Sequence, residues 1–322
     1  MSSSQITHNS STVKLKLDPE VAAPLLDLAP TNFQDVETLR SEANQNLGKF
    51  IRSSDEEVVI VNEYLDVNGA KLRVRIYSPK KGYEGGLLWI HGGAFTLGSP
   101  EIDDDLCRRL ALKHMRIVIS PDYRLSPEFP YPAAKEDCLA AFDFLEHLAQ
   151  EDDEKAPISI AGASAGGQLA LEVALEVSNR SSKFDRLVLL YPVVDHSLNT
   201  ESMKSYDSAP IFSGAHNVVM WQRYLTNNPS KSPWRSPLQH QNLNRLPLTL
   251  IVTTEHDPLR DEGLELLRIL LSLGVSAQGI HVAGAYHAFD RFAPESKLSR
   301  DLLDEIDNFF ERDVPFEIEL TV

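Results

Sequence analysis

The feature that most restricts this chain is a regular alternation of short apolar runs with longer helical patterns, beginning near residue 87. The apolar runs fall at 87–90, 117–120, 158–161, 187–191, 248–253 and 277–282, and helical periodicity occupies 102–114, 133–149, 165–178, 262–273 and 297–310. A strand that is apolar throughout must be covered on both faces, and parallel strands acquire that cover from their crossover helices. The expected class is therefore α/β, with a mostly parallel central sheet flanked by helices. Ahead of it, 58–77 is β-rich and broken by Asn68-Gly69, a pair at ease with positive φ that predicts an antiparallel hairpin.

The alternation fails once, between 195 and 246, where Tyr206, Phe212, Trp221, Tyr224 and Trp234 lie in a stretch with no clear strand. Connections in α/β units run to about two to six residues, so a stretch this long reads as an insertion. Its aromatics would either face a substrate or form the insertion's own core. Residues 1–56 are polar, with helical patches at 21–28 and 33–47, and read as a peripheral segment. The expected organisation is an N-terminal cap segment at 1–56 and a main domain at 57–322 with a cap insertion at about 195–246.

Charge and cysteine content narrow the partners. A formal net charge of −16 repels phosphate backbones and anionic lipid, and no basic run offsets it, so neither nucleic acid nor a membrane is expected. No run approaches the roughly 18 apolar residues of a membrane span, and the polar start has no leader-like core, which makes the cytoplasm the expected location. Cys107 and Cys138, both in helical patterns, are expected to be buried reduced thiols. The acidic runs at 103–105 and 151–154 are expected to be solvated, and neither has metal-ligand spacing.

The chemistry is concentrated where the apolar runs end. Gly162-Ala163-Ser164-Ala165-Gly166 sits between a short strand and a helix, the setting a G-x-S-x-G nucleophile elbow requires. A dinucleotide fingerprint is excluded, because Ser164 occupies the position where the backbone would have to approach a pyrophosphate. A serine hydroxyl is a poor nucleophile unaided and needs a base, an orienting carboxylate and donors for the oxyanion. His91-Gly92-Gly93-Ala94-Phe95 follows one strand, Glu255-His256-Asp257-Pro258-Leu259-Arg260-Asp261 another, and Tyr286-His287-Ala288-Phe289 a third. All lie at the carboxyl ends of strands, the edge where open α/β sheets place their sites. His256 and His281 are rival bases, and Asp195, Glu255 and Asp261 rival carboxylates. Arg124 reads as a structural ion-pair partner.

Five segments in this order resemble the hormone-sensitive-lipase-like esterases of the α/β-hydrolase superfamily: His91-Gly92-Gly93, Asp122-Tyr123-Arg124-Leu125-Ser126-Pro127-Glu128, the serine elbow with Gly166-Gly167, Asp257-Pro258-Leu259-Arg260-Asp261-Glu262-Gly263, and His287 before an aromatic residue. The resemblance spans roughly 58–312 and implies an α/β-hydrolase fold with a helical cap. It further implies that Ser164 is the nucleophile, His287 the base and acid, and Asp257 the carboxylate orienting His287. The N–H groups of Gly92, Gly93 and Ala165 would form the oxyanion hole, and Ala94, Phe95 and Leu259 would line a short acyl pocket. Two positions depart from the family pattern: Ala94 replaces a third glycine, and Ala163 replaces an aspartate.

The expected activity is hydrolysis of small, soluble, short-to-medium carboxylic esters through an acyl-enzyme, with no cofactor or metal and with a homodimer allowed. One rival keeps the site but cleaves amides or lactones, or serves a lyase or cyclisation step. The other is a small-molecule receptor like the plant gibberellin receptors, a class that has lost the triad histidine. His287 argues against it.

Overall fold

A computed structural model of the chain describes residues 15–28, 33–50, 56–150, 155–180, 184–225, 234 and 236–313. The polar start of the chain and the acidic run at 151–154 lie outside them. Strands β1 (Val58–Val67) and β2 (Ala70–Pro79) form the expected hairpin, turning where Asn68 and Gly69 take φ of 53° and 82° and the Gly69 N–H donates to Asp66 at 3.0 Å. Then follow β3 (Gly85–Ile90), α3 (Asp104–Lys113), β4 (Arg116–Pro121), α4 (Ala133–Ala149), β5 (Ile158–Ala163), α5 (Ala165–Val177) and β6 (Arg186–Leu190). After the insertion come β7 (Leu248–His256), α8 (Arg260–Ser272), β8 (Ala277–Tyr286), the short α9 (Phe289–Phe292) and α10 (Lys297–Glu311). The eight strands pair in the order β1-β2-β4-β3-β5-β6-β7-β8, antiparallel through β2 and parallel from β4 to β8.

The fully apolar strands have the two-sided cover their composition demands. In β3 to β6 every residue is buried, and successive side chains go to opposite cores. Leu88, Ile90, Ile119, Ile160 and Leu189 pack with α4, α5 and α8, whereas Leu87, Trp89, Val118, Ala161 and Val188 pack with α3 and α10. Fully burying such a side chain contributes about 1.5–3 kcal/mol. Helix α5 lies in the middle of its layer and is buried on all sides except at Glu176.

The N-terminal segment forms α1 (Pro19–Ala22), a 3-10 turn over Ala23–Asp27 and α2 (Val36–Phe50). Asp18 caps α1, and its own N–H donates to Gly284 O at 2.9 Å, tying the segment to the sheet edge. The described part of 195–246 contains α6 (Glu201–Ser205), α7 (Gly214–Tyr224) and two 3-10 turns, and no strand. Cys107 and Cys138 are free and fully buried in α3 and α4.

The acidic run at 103–105 corrects an expectation, since two of its carboxylates are buried. Asp104 holds Arg75 at 2.9 Å and accepts the Tyr77 hydroxyl at 2.6 Å, and Asp103 accepts Trp89 Nε1 at 2.8 Å. Strand side chains that precede the run supply these partners, and spacing within the run carries no trace of them.

Candidate active site

The elbow is built by steric necessity. Ser164 takes φ 56° and ψ −121° between β5 and α5, a strained backbone that only a tightly packed turn sustains. A Cβ on Gly162 would stand 2.2 Å from Gly166 O, and one on Gly166 2.1 Å from Ile90 O. Only glycine lets strand, turn and helix approach this closely.

From this turn the serine meets residues 93 and 123 positions away. His287 Nε2 lies 2.9 Å from Ser164 Oγ, and His287 Nδ1 lies 2.8 Å from Asp257 Oδ2. Asp257 is fixed in turn by the Thr254 hydroxyl, which donates at 3.1 Å, and by the Leu259 N–H, which donates at 2.8 Å. All three residues are buried, at 6%, 4% and 0% exposure, and the serine and histidine line a cavity. A tautomer with the proton on Nδ1 leaves Nε2 as an acceptor for the serine proton.

The loop after β3 faces this group. Gly93 has φ 128°, and a Cβ there would meet Leu97 O at 1.9 Å. The Tyr123 hydroxyl donates to His91 O at 3.0 Å, and the His91 ring at Nδ1 contacts Gly92 O at 2.7 Å. In a trans peptide the N–H opposes the carbonyl, so these two contacts turn the N–H groups of Gly92 and Gly93 away from Tyr123 and the His91 ring. Burial holds the His91 ring below its ordinary pKa and so neutral, consistent with a single donated N–H. Ala165, with its N–H in the unsatisfied first turn of α5, is fully buried beside Ser164.

The cavity has a volume of about 760 Å³ and a mainly apolar wall. Gly92, Gly93, Ala94, Ala163, Ser164 and His287 form its floor; Leu25, Phe33 and Leu39 of the N-terminal segment and Pro210 to Phe212 of the insertion form much of the rest. Phe212 packs on His287 with ring centroids 5.0 Å apart, and Phe33 stacks on His216 at 4.5 Å. Burial lowers the His216 pKa and raises those of Tyr191 and Asp290, whose mutual hydrogen bond is 2.9 Å long.

The chain has relatives among known proteins. A family model described as alpha/beta hydrolase fold matches residues 87–291. An arylesterase of Saccharolobus solfataricus is 32% identical, with 85% of this chain and 92% of that one covered. The chain belongs to the hormone-sensitive-lipase-like esterases of the α/β-hydrolase family. An ethyl acetate hydrolase of Pseudomonas putida is 29% identical over 86% of this chain and 93% of its own. Among solved structures, a bacterial heroin esterase superposes with a TM-score of 0.86 at 29% identity, covering 92% of this chain and 97% of that one.

Within this esterase two residues expected to line an acyl pocket do not line the cavity. Phe95 is fully buried and stacks on Tyr224 at 3.8 Å, behind Ala94, while Leu259 is buried with its N–H on Asp257. The loop explains the first: Ala94 and Phe95 both take positive φ, 52° and 55°, which turns the phenyl ring toward α7. Ala94 does line the cavity, as does Ala163.

The rivals are engaged elsewhere. His256 contacts Lys16 O at 3.1 Å and His281 the Thr253 hydroxyl at 3.0 Å. Asp261 accepts from Ser202 N at 2.7 Å, Glu255 from Gly284 N at 2.8 Å, and Asp195 from Ser197 N at 3.1 Å. Arg124 grips Asp137 with Nε and Nη2, each at distances down to 2.9 and 2.8 Å, and does not line the cavity. Of the insertion's aromatics, Phe212 lines the cavity, whereas Trp221, Tyr224 and Trp234 belong to the core.

Among the described residues no group of three His, Cys, Asp or Glu could hold a metal ion, and no helix is long and apolar enough to cross a membrane.

Proposed function

We propose that the chain hydrolyses carboxylic esters of small, dissolved substrates with short-to-medium acyl groups, through an acyl-enzyme on Ser164. The observation that carries this reading is the continuous hydrogen-bonded series Ser164–His287–Asp257 opening on an apolar cavity. Ser164 Oγ attacks the acyl carbonyl as His287 Nε2 takes its proton, and Asp257 holds the imidazole in the required tautomer and stabilises the imidazolium. The N–H groups of Gly92, Gly93 and Ala165 receive the oxyanion. His287 then protonates the departing alcohol, and water repeats the sequence on the acyl-enzyme.

The same proposal treats 1–56 and about 195–246 as one cap, because Phe33, Leu39 and Phe212 roof the cavity together. It also places the enzyme in the cytoplasm, with a homodimer as the assembly to test by light scattering. Short acyl groups are favoured because Ala94 is backed by the Phe95 and Tyr224 stack, which leaves that wall no slack. Each added methylene contributes about 0.8 kcal/mol only while there is space to bury it.

The test is labelling of Ser164 by a serine-directed fluorophosphonate, followed by kcat/KM for a p-nitrophenyl ester series beside amides and lactones. The expected maximum lies at about four to eight acyl carbons. A maximum at twelve carbons or more, or a rate jump once an emulsion forms, overturns the short-acyl reading. Absence of a label overturns the serine mechanism.

A further inference from the structure

We infer that Arg291 is a specificity-determining residue that donates to a second, neutral oxygen acceptor on the substrate, such as the carbonyl of a keto group or of a second ester. The inference rests on the esterase reading above and names the substrate class within it.

Arg291 is on α9, four residues after His287, and lines the same cavity as Ser164 and His287. Its Nη2 donates to Asp103 Oδ1 at 2.7 Å, and the other Asp103 oxygen accepts Trp89 Nε1 at 2.8 Å. That contact anchors one end of the guanidinium. Nε and Nη1 make no hydrogen bond among the described residues, although a guanidinium carries five N–H donors. The side chain retains 19% exposure, and the space beside it is the cavity. A rigid donor fork thus borders an otherwise mainly apolar chamber that opens on the nucleophile.

The charge balance selects the kind of acceptor. Asp103 already neutralises Arg291, and Asp290 is buried beside it with its carboxyl pKa raised by burial. Glu42 and Asp207 are carboxylates on the cavity wall, and the chain carries a net charge of −16. A substrate carboxylate would place a second anion on one cation in a negative field. A neutral carbonyl accepts from the fork without that repulsion, and a hydrocarbon in the same place strands donors that water would otherwise satisfy. Sites built to donate discriminate strongly against analogues that lack the acceptor.

The experiment compares matched substrates: methyl oxoalkanoates and oxoalkyl acetates with the second carbonyl a few bonds from the scissile ester, each beside its alkane isostere and a monoester carrying a free carboxylate. For the unaltered enzyme, at least one oxo-ester should exceed its isostere in kcat/KM by about tenfold or more, with the carboxylate below both. In Arg291→Met that ratio should fall toward one, and Arg291→Lys should restore it in part. Should Arg291→Met fail to fold with Asp103 left unpaired, the double variant Asp103→Asn/Arg291→Met removes the stranded charge and reads the same ratio. A ratio near one throughout the series, or one that Arg291→Met leaves unchanged while both rates fall, overturns the inference. A carboxylate preferred over the ketone overturns the choice of a neutral acceptor. Hydrolysis of none of these esters would instead overturn the esterase reading.

Discussion

Helix α5 begins just after Ser164 and packs along its middle against an aromatic mass, and the two regions treat buried polar atoms differently. At Ser164 the hydroxyl, both nitrogens of His287 and both oxygens of Asp257 have partners. Two turns along the same helix, Glu172 is buried with Gln168 and Trp234 beside its carboxyl, in contacts too weak to offset its burial. Trp221 Nε1 and Tyr224 OH from α7, which pack in the same core, make no hydrogen bond among the described residues. Burial pushes the Glu172 carboxyl up to about 7. Around Ser164 the polar groups satisfy one another. The mid-helix region has taken polar groups out of water with poorer compensation, so Glu172, the group there that can shed its charge, does so. Equal burial therefore says nothing about function, and the completeness of the hydrogen bonding does.

The strongest way to break this contrast is to remove members of the satisfied chain. Ser164→Ala and His287→Ala should each lower kcat by about four to six orders of magnitude, and the double variant should be little worse, because the groups act in one step. Additive losses measured in steady-state kinetics would mean that they do not. Asp257→Asn should cost about 10⁴ in kcat with the fold intact, by favouring the wrong imidazole tautomer. Asp261→Asn is the comparison, since Asp261 spends its carboxylate on Ser202 and Arg260. Equal damage there would misplace the orienting carboxylate.

A smaller effect sharpens the account of the β3 loop. Tyr123→Phe removes the hydroxyl that fixes His91 O, and should lower kcat about 10- to 100-fold with KM little changed, by loosening the Gly92 donor. A change confined to KM would assign Tyr123 to substrate binding instead.

The last prediction concerns the middle of α5 and is read in stability. The Glu172 carboxyl has a folded-state pKa of about 7 against an ordinary value of 4.5, with burial the largest cause. Between those values the unfolded chain releases the proton and the folded chain keeps it, so stability is complete below pH 4.5 and declines as pH rises through about 7. Glu172→Gln does not titrate. Its stability relative to the unaltered protein should improve between pH 5 and pH 8 by on the order of 2–3 kcal/mol, measured as denaturant midpoints at each pH. A difference that stays constant across that range would show that Glu172 carries no raised pKa.

The alternating apolar runs and their helices were enough to specify the sheet, because two-sided burial leaves its mark on every residue of a strand. The elbow was legible for a similar reason: Gly162, Ser164 and Gly166 act within five residues, and their steric requirement is local. Spacing said much less about Asp103 and Asp104, which looked like a solvated run until the fold brought Arg291, Trp89, Arg75 and Tyr77 to them. Phe95 shows the same limit. Its place in the loop suggested a pocket wall, but positive φ at Ala94 and Phe95 turned the ring onto Tyr224, more than a hundred residues away. Sequence by itself determined which local segments this chain forms and which residue types can do serine chemistry. Tertiary structure alone decided which side chains face the cavity and which polar groups find partners, because both depend on contacts between segments that share no pattern along the chain.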